Sequence, residues 1–336
     1  MRTAKYLLFA GLVLVVLLVL KSDPMKIVEA VRHADPLFLA AGMLFTILSQ
    51  LVRATKLRTL LNSLADNSIS FRAFLPVYLL NSMLSNFTPA KSGDFLGGIF
   101  FRKFFKTSLG GSVSFILLDR IVELLVICLG ILASACYFFI QLHESMAIVK
   151  ALLAVAIFFV IVAIFLIFTA LSSGSTGAVL RYFENRWGNG SAGVRISAVK
   201  TELELFHRGF KELHNLRLYG YLLSMTCAAW FCDICTLYLY LNSVLHLDFI
   251  YTMMSFWVSV SIGIVTFIPL GLGSNEISLY YLLKQQGQPE SLAVAGILIA
   301  RFIALFIMVL AGVCSYLILN RRIAANHSSK IEEEPH

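Results

Sequence analysis

Charged side chains inside long apolar runs are the first candidates for chemistry in this 336-residue chain. Asp119, Arg120 and Glu123 interrupt one such run, and Arg301 interrupts another. A charge in an apolar segment is costly, so it is normally paired or faces a wet cavity. On a helix, Arg120 reaches Glu123 at i+3, while Asp119 and Glu123 share a face at i, i+4. These residues therefore indicate either a structural ion-pair network or a site that binds an anionic group.

Arg301 has no acidic neighbour in its own run, so its partner must come from elsewhere in the chain. The candidate partners are the carboxylates of Glu276, Asp94, Asp233 and Glu123. A guanidinium can also form two parallel hydrogen bonds with a phosphate, so a lipid headgroup is the alternative partner. For that alternative, the candidate headgroup-binding residues are Arg120, Arg301, Glu276, Asp119, Glu123, Asp94 and Lys91.

The two arginines belong to a pattern that occurs twice. Pro89 precedes Arg120 by 31 residues, Pro269 precedes Arg301 by 32, and a glycine follows each proline four residues on. Proline ends a helix because it lacks an N–H and clashes with the preceding turn, and glycine permits backbone that other residues resist. The candidate helix-breaking residues are Pro89, Gly93, Pro269, Gly271 and Gly273.

This pattern predicts two similar halves, about 73–142 and 251–319, each with a broken or re-entrant helix. Irregular backbone at membrane depth is tolerated only where protein or a wet cavity covers it. Broken helices at corresponding positions of two halves are typical of transporter binding sites, and the N-terminus of a restarting helix, which Ser274 or Asn275 could cap, attracts anions. The alternative is two ordinary loops outside the bilayer, which leaves the matched arginines unexplained.

The elements that position these residues are apolar helices. Hydrophobic residues make up 59% of the chain, charged residues 14%, and the mean hydropathy is +0.83, against roughly 45–50% apolar residues in soluble domains. Runs of roughly 17–25 apolar residues are long enough to cross a bilayer as helices. The sequence thus predicts an all-α integral membrane protein with about eight transmembrane helices, in the runs Tyr6–Leu20, Leu37–Val52, Ala73–Thr88, Ser112–Leu142, Ala151–Leu171, Leu218–Leu245, Tyr251–Ile268 and Ser291–Leu319.

Residues 1–320 are predicted to form a single polytopic domain. The first run is interpreted as a retained anchor, because no small-x-small cleavage site follows Leu20. Between about 195 and 217 apolar residues recur at spacings of four and three, which predicts an amphipathic helix that lies in the membrane interface or caps the bundle as a short solvated helix. Residues 321–336 are polar and predicted to be disordered.

The net charge of +8 lies in the connections between apolar runs, so anionic lipid headgroups are favoured over nucleic acid as partners. Cys232-x-x-Cys235 falls in the middle of an apolar run and is interpreted as packing rather than a metal or redox site. No metal site and no cofactor are predicted. With eight alternating spans, 10 Lys and Arg lie on the side of the termini and 15 on the other side. The positive-inside rule then favours external termini, whereas the basic flank of the first helix argues the opposite, so the orientation stays open.

Several of these motifs together resemble a known family. The stretch FIPLGLGSNE from Phe267, the turn Gly287-x-Pro289, the stretch TPAKSGD from Thr88, and the two arginines at their spacings resemble the flippase-like membrane domain of bacterial lysylphosphatidylglycerol synthases and their stand-alone relatives. The resemblance covers nearly the whole chain. It implies movement of a lipid between leaflets. Because the sequence has no aminoacyl-transferase domain, lysine transfer to phosphatidylglycerol is not expected.

The leading functional hypothesis is a lipid translocase, flippase or scramblase-like, for an anionic phospholipid or glycolipid headgroup. The alternative is an accessory membrane subunit that presents a lipid to a glycosyltransferase or another envelope-assembly enzyme. An enzyme is not expected, because no HExxH or GxSxG motif occurs, and the absence of a GxxxxGK[ST] loop argues against ATP hydrolysis. The expected partners are membrane lipids, and the expected location is the inner membrane, with several passes.

Overall fold

The computed structural model describes residues 2–63, 68–141, 146–171, 201–210 and 215–332. All regular structure in these ranges is helical. The α-helices are α1 (Arg2–Lys21), α2 (Pro24–Arg32), α3 (Pro36–Asn62), α4 (Phe71–Asn86), α5 (Gly97–Phe105), α6 (Leu109–Gln141), α7 (Met146–Leu171), α8 (Leu216–Asn242), α9 (Phe249–Val265), α10 (Ser274–Gln285) and α11 (Glu290–Glu332). Two 3₁₀ helices, Pro89–Leu96 and Pro269–Gly271, follow α4 and α9, and residues 201–210 are also helical.

Polar residues at the edges of the apolar runs determine where several helices begin. Asp35, Asn215 and Asp248 precede α3, α8 and α9, and each side chain accepts a hydrogen bond from a backbone N–H two or three residues on, at 2.8–3.0 Å. Such caps satisfy N–H groups that have no partner within the helix. Pro24 and Pro36 occupy the first position of α2 and α3, where a missing N–H costs nothing.

The chain is an all-helical membrane protein. Within the described ranges four helices are long and apolar enough to cross a bilayer: α3, Val149–Thr169 within α7, α8, and Glu290–Arg322 within α11. Gly11–Lys21 and α9 are shorter apolar helices. Helix α6 is 33 residues long and carries Asp119, Arg120 and Glu123.

Two apolar clusters mark opposite ends of the molecule. The end that contains α2 (the α2 end) is built around Leu18, Ile27, Tyr251, Leu283 and Ala293. The end that contains α5 (the α5 end) is built around Leu57, Phe74, Phe101, Leu222 and Leu319. Helices α6, α7, α8 and α11 contribute residues to both clusters, so they run from one end to the other.

Helices α4 and α5 form the first hairpin, whose tip is the 3₁₀ helix Pro89–Leu96. Phe74, early in α4, stacks on Phe105, the last residue of α5, with ring centroids 6.0 Å apart. Gly97, at the start of α5, packs against Asn81 further along α4. The two helices are therefore antiparallel, and the hairpin begins and ends at the α5 end.

Helices α9 and α10 form the second hairpin, whose tip contains the 3₁₀ helix Pro269–Gly271. The Tyr251 hydroxyl, early in α9, donates to the Leu282 carbonyl near the end of α10 at 2.5 Å, and Gly263 packs against Asn275 near the tip. This hairpin begins and ends at the α2 end. The two hairpins thus enter from opposite ends, and their tips are in contact.

Helix α1 packs on the second tip. A Cβ atom added to Gly11 would lie 2.5 Å from the Leu272 carbonyl oxygen, and one added to Gly273 would lie 2.8 Å from Leu14 Cβ. Only glycines allow this close approach. The first apolar run is therefore part of the packed molecule.

Two segments that the sequence analysis singled out are described only in part. Helix α11 is described as far as Glu332, residues 333–336 lie outside the described residues, and the disorder of the 321–336 tail stays a prediction. In the 201–210 helix, Phe206 and Phe210 pack against the apolar cluster of the α5 end. Residues 195–200 and 211–214 of the predicted amphipathic helix lie outside the described residues, and its placement in the membrane interface stays a prediction.

Candidate functional site

A cavity of about 360 Å³ lies between the two apolar clusters, where the hairpin tips meet. Side chains from α3, α4, α6, α8, α9, α10 and α11 line it, together with both tips. Nine of the lining side chains are charged: Arg53, Lys56, Asp94, Asp119, Arg120, Glu123, Asp233, Glu276 and Arg301. Six of the seven candidate headgroup-binding residues are thus brought to one place. The seventh, Lys91, lies in the first tip, and its side chain is outside the described part of the structure.

Arg120 connects α6 to the first hairpin tip. Its Nη2 atom lies 2.8 Å from Asp94 Oδ2, and its Nη1 donates to Glu123 Oε2 at 2.5 Å. The second carboxylate of its own helix, Asp119, lies further away at 3.8 Å. The i+3 pair with Glu123 is the one that helical spacing indicates, whereas the pair with Asp94 depends on the hairpin fold.

Helix α3 supplies two further cations, Arg53 and Lys56. Both follow the predicted span Leu37–Val52, so hydropathy assigned them to the connection after it. Lys56 is only 1% exposed, and its Nζ lies 2.5 Å from Asp119 Oδ1 and 3.4 Å from Glu123 Oε1. Arg53 donates to Glu123 at 2.8 Å and to Asp233 of α8 at 2.6 Å. These pairs join α3, α6 and α8 through charge-assisted hydrogen bonds, which are stronger than neutral ones.

These two cations were not predicted as site residues, because the predicted span ended at Val52, whereas α3 continues to Asn62. A signal was available in the sequence. Thr46, Gln50, Arg53 and Leu57 recur at spacings of four, three and four, and all four line the cavity. This spacing is that of one helix face, so the basic residues after Val52 could have been read as an extension of the helix.

Arg301 pairs with Glu276, one of its four candidate partners. Its Nε donates to Glu276 Oε1, and its Nη2 lies 3.5 Å from the Gly271 carbonyl oxygen. The other Glu276 oxygen accepts a hydrogen bond from the Gly273 N–H at 2.6 Å. Glu276 therefore satisfies the N-terminus of α10, and the capping role expected of Ser274 or Asn275 is wrong. The side chain of Glu276, 2% exposed, holds the second tip to α11.

The two tips break their helices by different means. Pro89 and Pro269 each begin a 3₁₀ helix. In the second tip Gly271 and Gly273 have φ of +61° and +85°, which glycine adopts without a steric penalty, whereas Leu270 adopts φ of +63° at a cost. In the first tip Gly93 instead allows close packing, since an added Cβ would lie 2.8 Å from Ser85 Cα.

The cavity contains five carboxylates and four cations, and every one of these four cations lies within 4 Å of a carboxylate. Several buried polar atoms along the lining have no hydrogen-bond partner among the described residues, namely Asn81 Oδ1, Asn275 Oδ1, Thr236 Oγ1 and Arg120 Nε. Buried polar atoms normally have a partner, so these atoms are suited to bind water or a polar ligand. Within the described ranges no group of three His, Cys, Asp or Glu side chains could hold a metal ion.

The cavity lining also has an apolar part. Ala304, Leu305, Met308 and Ala311 lie beyond Arg301 along α11, over a helix length of roughly 15 Å at 1.5 Å per residue. A charged site that continues into an apolar stretch of this length suits an amphiphile, whose headgroup and chain need different surroundings.

The chain is similar in sequence to known membrane proteins along most of its length. The family model described as the lysylphosphatidylglycerol synthase TM region matches residues 4–312. A UPF0104 membrane protein of Pyrococcus horikoshii is 23% identical over 345 residues, covering 96% of this chain and 99% of the relative. A UPF0104 membrane protein of Methanocaldococcus jannaschii is 25% identical over 241 residues, covering 71% of this chain and 95% of the relative.

Proposed function

The chain belongs to the family of the lysylphosphatidylglycerol synthase transmembrane region, and from that premise we propose that it is a lipid translocase of the flippase or scramblase type. The family is associated with lipid modification and translocation. The observation that carries the proposal is the cavity between the hairpin tips, which combines ion pairs, unpartnered polar atoms and an apolar wall. A lipid headgroup, anionic or glycosylated, passes through this cavity while its acyl chains stay in the bilayer.

The proposal includes a membrane arrangement. The eight apolar runs correspond to six helices that cross the bilayer, α1, α3, α6, α7, α8 and α11, and two re-entrant hairpins, one from each face. Each half then consists of a hairpin followed by a long helix that carries the arginine paired to the hairpin tip. Inverted halves of this kind place a substrate site near the bilayer midplane. The position of the ion pairs between the two apolar clusters supports this arrangement.

The ion pairs suggest how a headgroup enters. Arg120 and Arg301 are each bound to a carboxylate of a hairpin tip, so a phosphate that forms two parallel hydrogen bonds with either guanidinium replaces Asp94 or Glu276. That replacement releases the tip from α6 or α11. Headgroup binding and opening of the tip are therefore one event, and the headgroup compensates for the lost ion pair.

Reconstitution into vesicles with fluorescent lipids tests the proposal. A membrane-impermeant quencher reaches only the label in the outer leaflet, so a translocase makes the inner-leaflet label accessible as well. We expect complete quenching with the native protein and only outer-leaflet quenching in protein-free vesicles. If the inner-leaflet label stays protected although labelled lipid remains bound to the protein, translocation is excluded and the accessory role is supported.

A further inference from the structure

The two ends of the molecule differ strongly in charge. Among the described residues the α5 end has twelve Lys and Arg against three acidic residues, and the α2 end has five against five. The twelve are Arg2, Lys5, Arg58, Arg72, Arg102, Lys103, Lys106, Arg208, Arg217, Arg321, Arg322 and Lys330. The five are Lys21, Lys26, Arg32, Lys150 and Lys284.

The count of Lys and Arg does not show this asymmetry if every apolar run is assumed to cross the membrane. A crossing third run would place Arg102, Lys103 and Lys106 opposite the chain termini. The first hairpin instead returns to the end where it started, as the stacking of Phe74 on Phe101 at 5.6 Å demonstrates. The same end receives the start of α1 and α8 and the far part of α11. Basic residues from both halves of the sequence therefore share one face.

Helix α5 presents a contact surface on this face. Its buried side is anchored by Phe101, which is fully buried in the apolar cluster. Its exposed side has Ile99, 56% exposed, beside the cations Arg102 and Lys103, and the preceding Leu96 of the 3₁₀ helix, 46% exposed, extends the apolar part. A helix with apolar and basic residues on one exposed side suits the boundary between acyl chains and anionic headgroups.

We infer that the α5 end binds the anionic headgroups of the cytoplasmic leaflet through α5, so that both Arg2 and Glu332 lie on the cytoplasmic side. Charge complementarity selects this partner, because a cytoplasmic leaflet is negative and attracts basic residues near the membrane surface. Residues close to the ends of membrane helices also carry most of the orientation signal. This inference is independent of lipid translocation, since it concerns the surface of the protein rather than its cavity.

Accessibility of single cysteines tests the orientation in the full chain, in a background with the six native cysteines replaced by alanine. Lys26→Cys reports on the α2 end and Lys103→Cys on the α5 end. In spheroplasts of a bacterial host, a membrane-impermeant maleimide is expected to label Lys26→Cys at once and Lys103→Cys only after lysis. Labelling of Lys103→Cys in sealed spheroplasts, with Lys26→Cys protected, would overturn the orientation.

Lipid-selective quenching tests the partner. A fluorophore on Ile99→Cys is reconstituted in phosphatidylcholine vesicles that contain equal fractions of either spin-labelled phosphatidylglycerol or spin-labelled phosphatidylcholine. Phosphatidylglycerol should quench several-fold more strongly, and high salt should reduce this preference by screening. Replacing Arg102 and Lys103 by Gln should abolish this preference, because each charge near the surface contributes a factor of about five to the affinity for anionic lipid. The matched Lys21→Gln and Lys26→Gln pair should not change it. Equal quenching by the two lipids at low salt with the unmutated charges would refute the proposed surface.

Discussion

Arg301 binds Glu276 across 25 residues of sequence and joins the second hairpin tip to α11. Asp94 and Arg120, which join the first tip to α6 at 2.8 Å, are separated by a similar 26 residues. In each half an acidic residue that follows the proline pairs with the arginine of the next long helix. The repeat in the sequence is therefore accompanied by a pair of matching contacts between tip and helix.

Replacement of Arg301 tests whether its ion pair is structural. Arg301→Gln leaves the buried carboxylate of Glu276 without its cation, so the free energy of unfolding should fall by about 3–5 kcal/mol. Adding Glu276→Gln removes the unpaired charge and should recover most of this loss. Thermal unfolding of the single and double variants in detergent provides the comparison.

Lipid movement in the same double variant separates structure from function. If Arg301 binds the headgroup, the stable double variant should still transport lipid poorly. Arg301→Lys should also impair transport, because an ammonium cannot reproduce the two parallel hydrogen bonds of a guanidinium. A double variant with both native stability and native transport would exclude the headgroup role of Arg301 and leave a structural ion pair.

Asp94→Asn should strengthen binding of anionic lipid. The change removes a carboxylate that competes with a phosphate for Arg120, while Glu123 still pairs with Arg120 at 2.5 Å. We expect binding about tenfold tighter, equivalent to about 1.4 kcal/mol, near the value of a hydrogen bond to a charged group. Titration of the purified protein with phosphatidylglycerol in mixed micelles measures it. The control is Glu290→Gln, which removes an exposed partner of Lys284 far from the cavity and should leave binding unchanged. Weaker binding by Asp94→Asn would contradict the proposed competition between Asp94 and the lipid phosphate for Arg120.

Gly273→Ala should destabilise the second tip and loosen α1. Its φ of +85° disfavours a side chain, and the added Cβ would lie 2.9 Å from the Gly11 carbonyl oxygen. Gly287→Ala, with φ of +76° and no atom within 4 Å, isolates the backbone cost of about 1–2 kcal/mol. Gly220→Ala, in open space on α8, should be neutral or stabilising by about 0.5–1 kcal/mol. Equal unfolding midpoints for Gly273→Ala and Gly287→Ala would show that the contact with α1 contributes nothing.

Lys56→Met tests the ion pairs of the first half. The methionine retains the volume of the side chain but removes the cation that lies 2.5 Å from Asp119 Oδ1 and 3.4 Å from Glu123 Oε1. We expect a loss of about 3–5 kcal/mol in unfolding free energy, partly recovered by adding Asp119→Asn. The surface change Lys26→Met, which removes an exposed i+3 pair with Asp23, is the matched control. A loss no larger than that of the control would contradict a structural role for Lys56.

The sequence predicts the helical class and the positions of both breaks, and it singles out seven of the cavity's nine charged residues, because proline, glycine and charges in apolar runs have strong local preferences. The pair between Arg120 and Glu123 also follows from local spacing. Each of these features depends on residues close together in the chain.

The direction of each hairpin could not be obtained in this way. Whether the chain crosses the membrane after Pro89 or turns back depends on the contact of Phe74 with Phe101, which is a tertiary packing preference. The burial of Lys56 likewise depends on Asp119 and Thr226 from two other helices. A helix boundary predicted from hydropathy alone stops before a cation such as Lys56, because hydropathy does not include the partners that stabilise the buried charge.

The position of α11 has a consequence for biogenesis. It is synthesised after all the other described helices, yet it packs along α4, where Gly312 lies against Met83, and it supplies Arg301 to the second tip. The side of the first hairpin that α11 covers in the finished protein therefore stays uncovered until most of the chain has been translated. Arrival of α11 completes both halves at once, so insertion of the early helices and closure of the finished protein are separate steps of assembly.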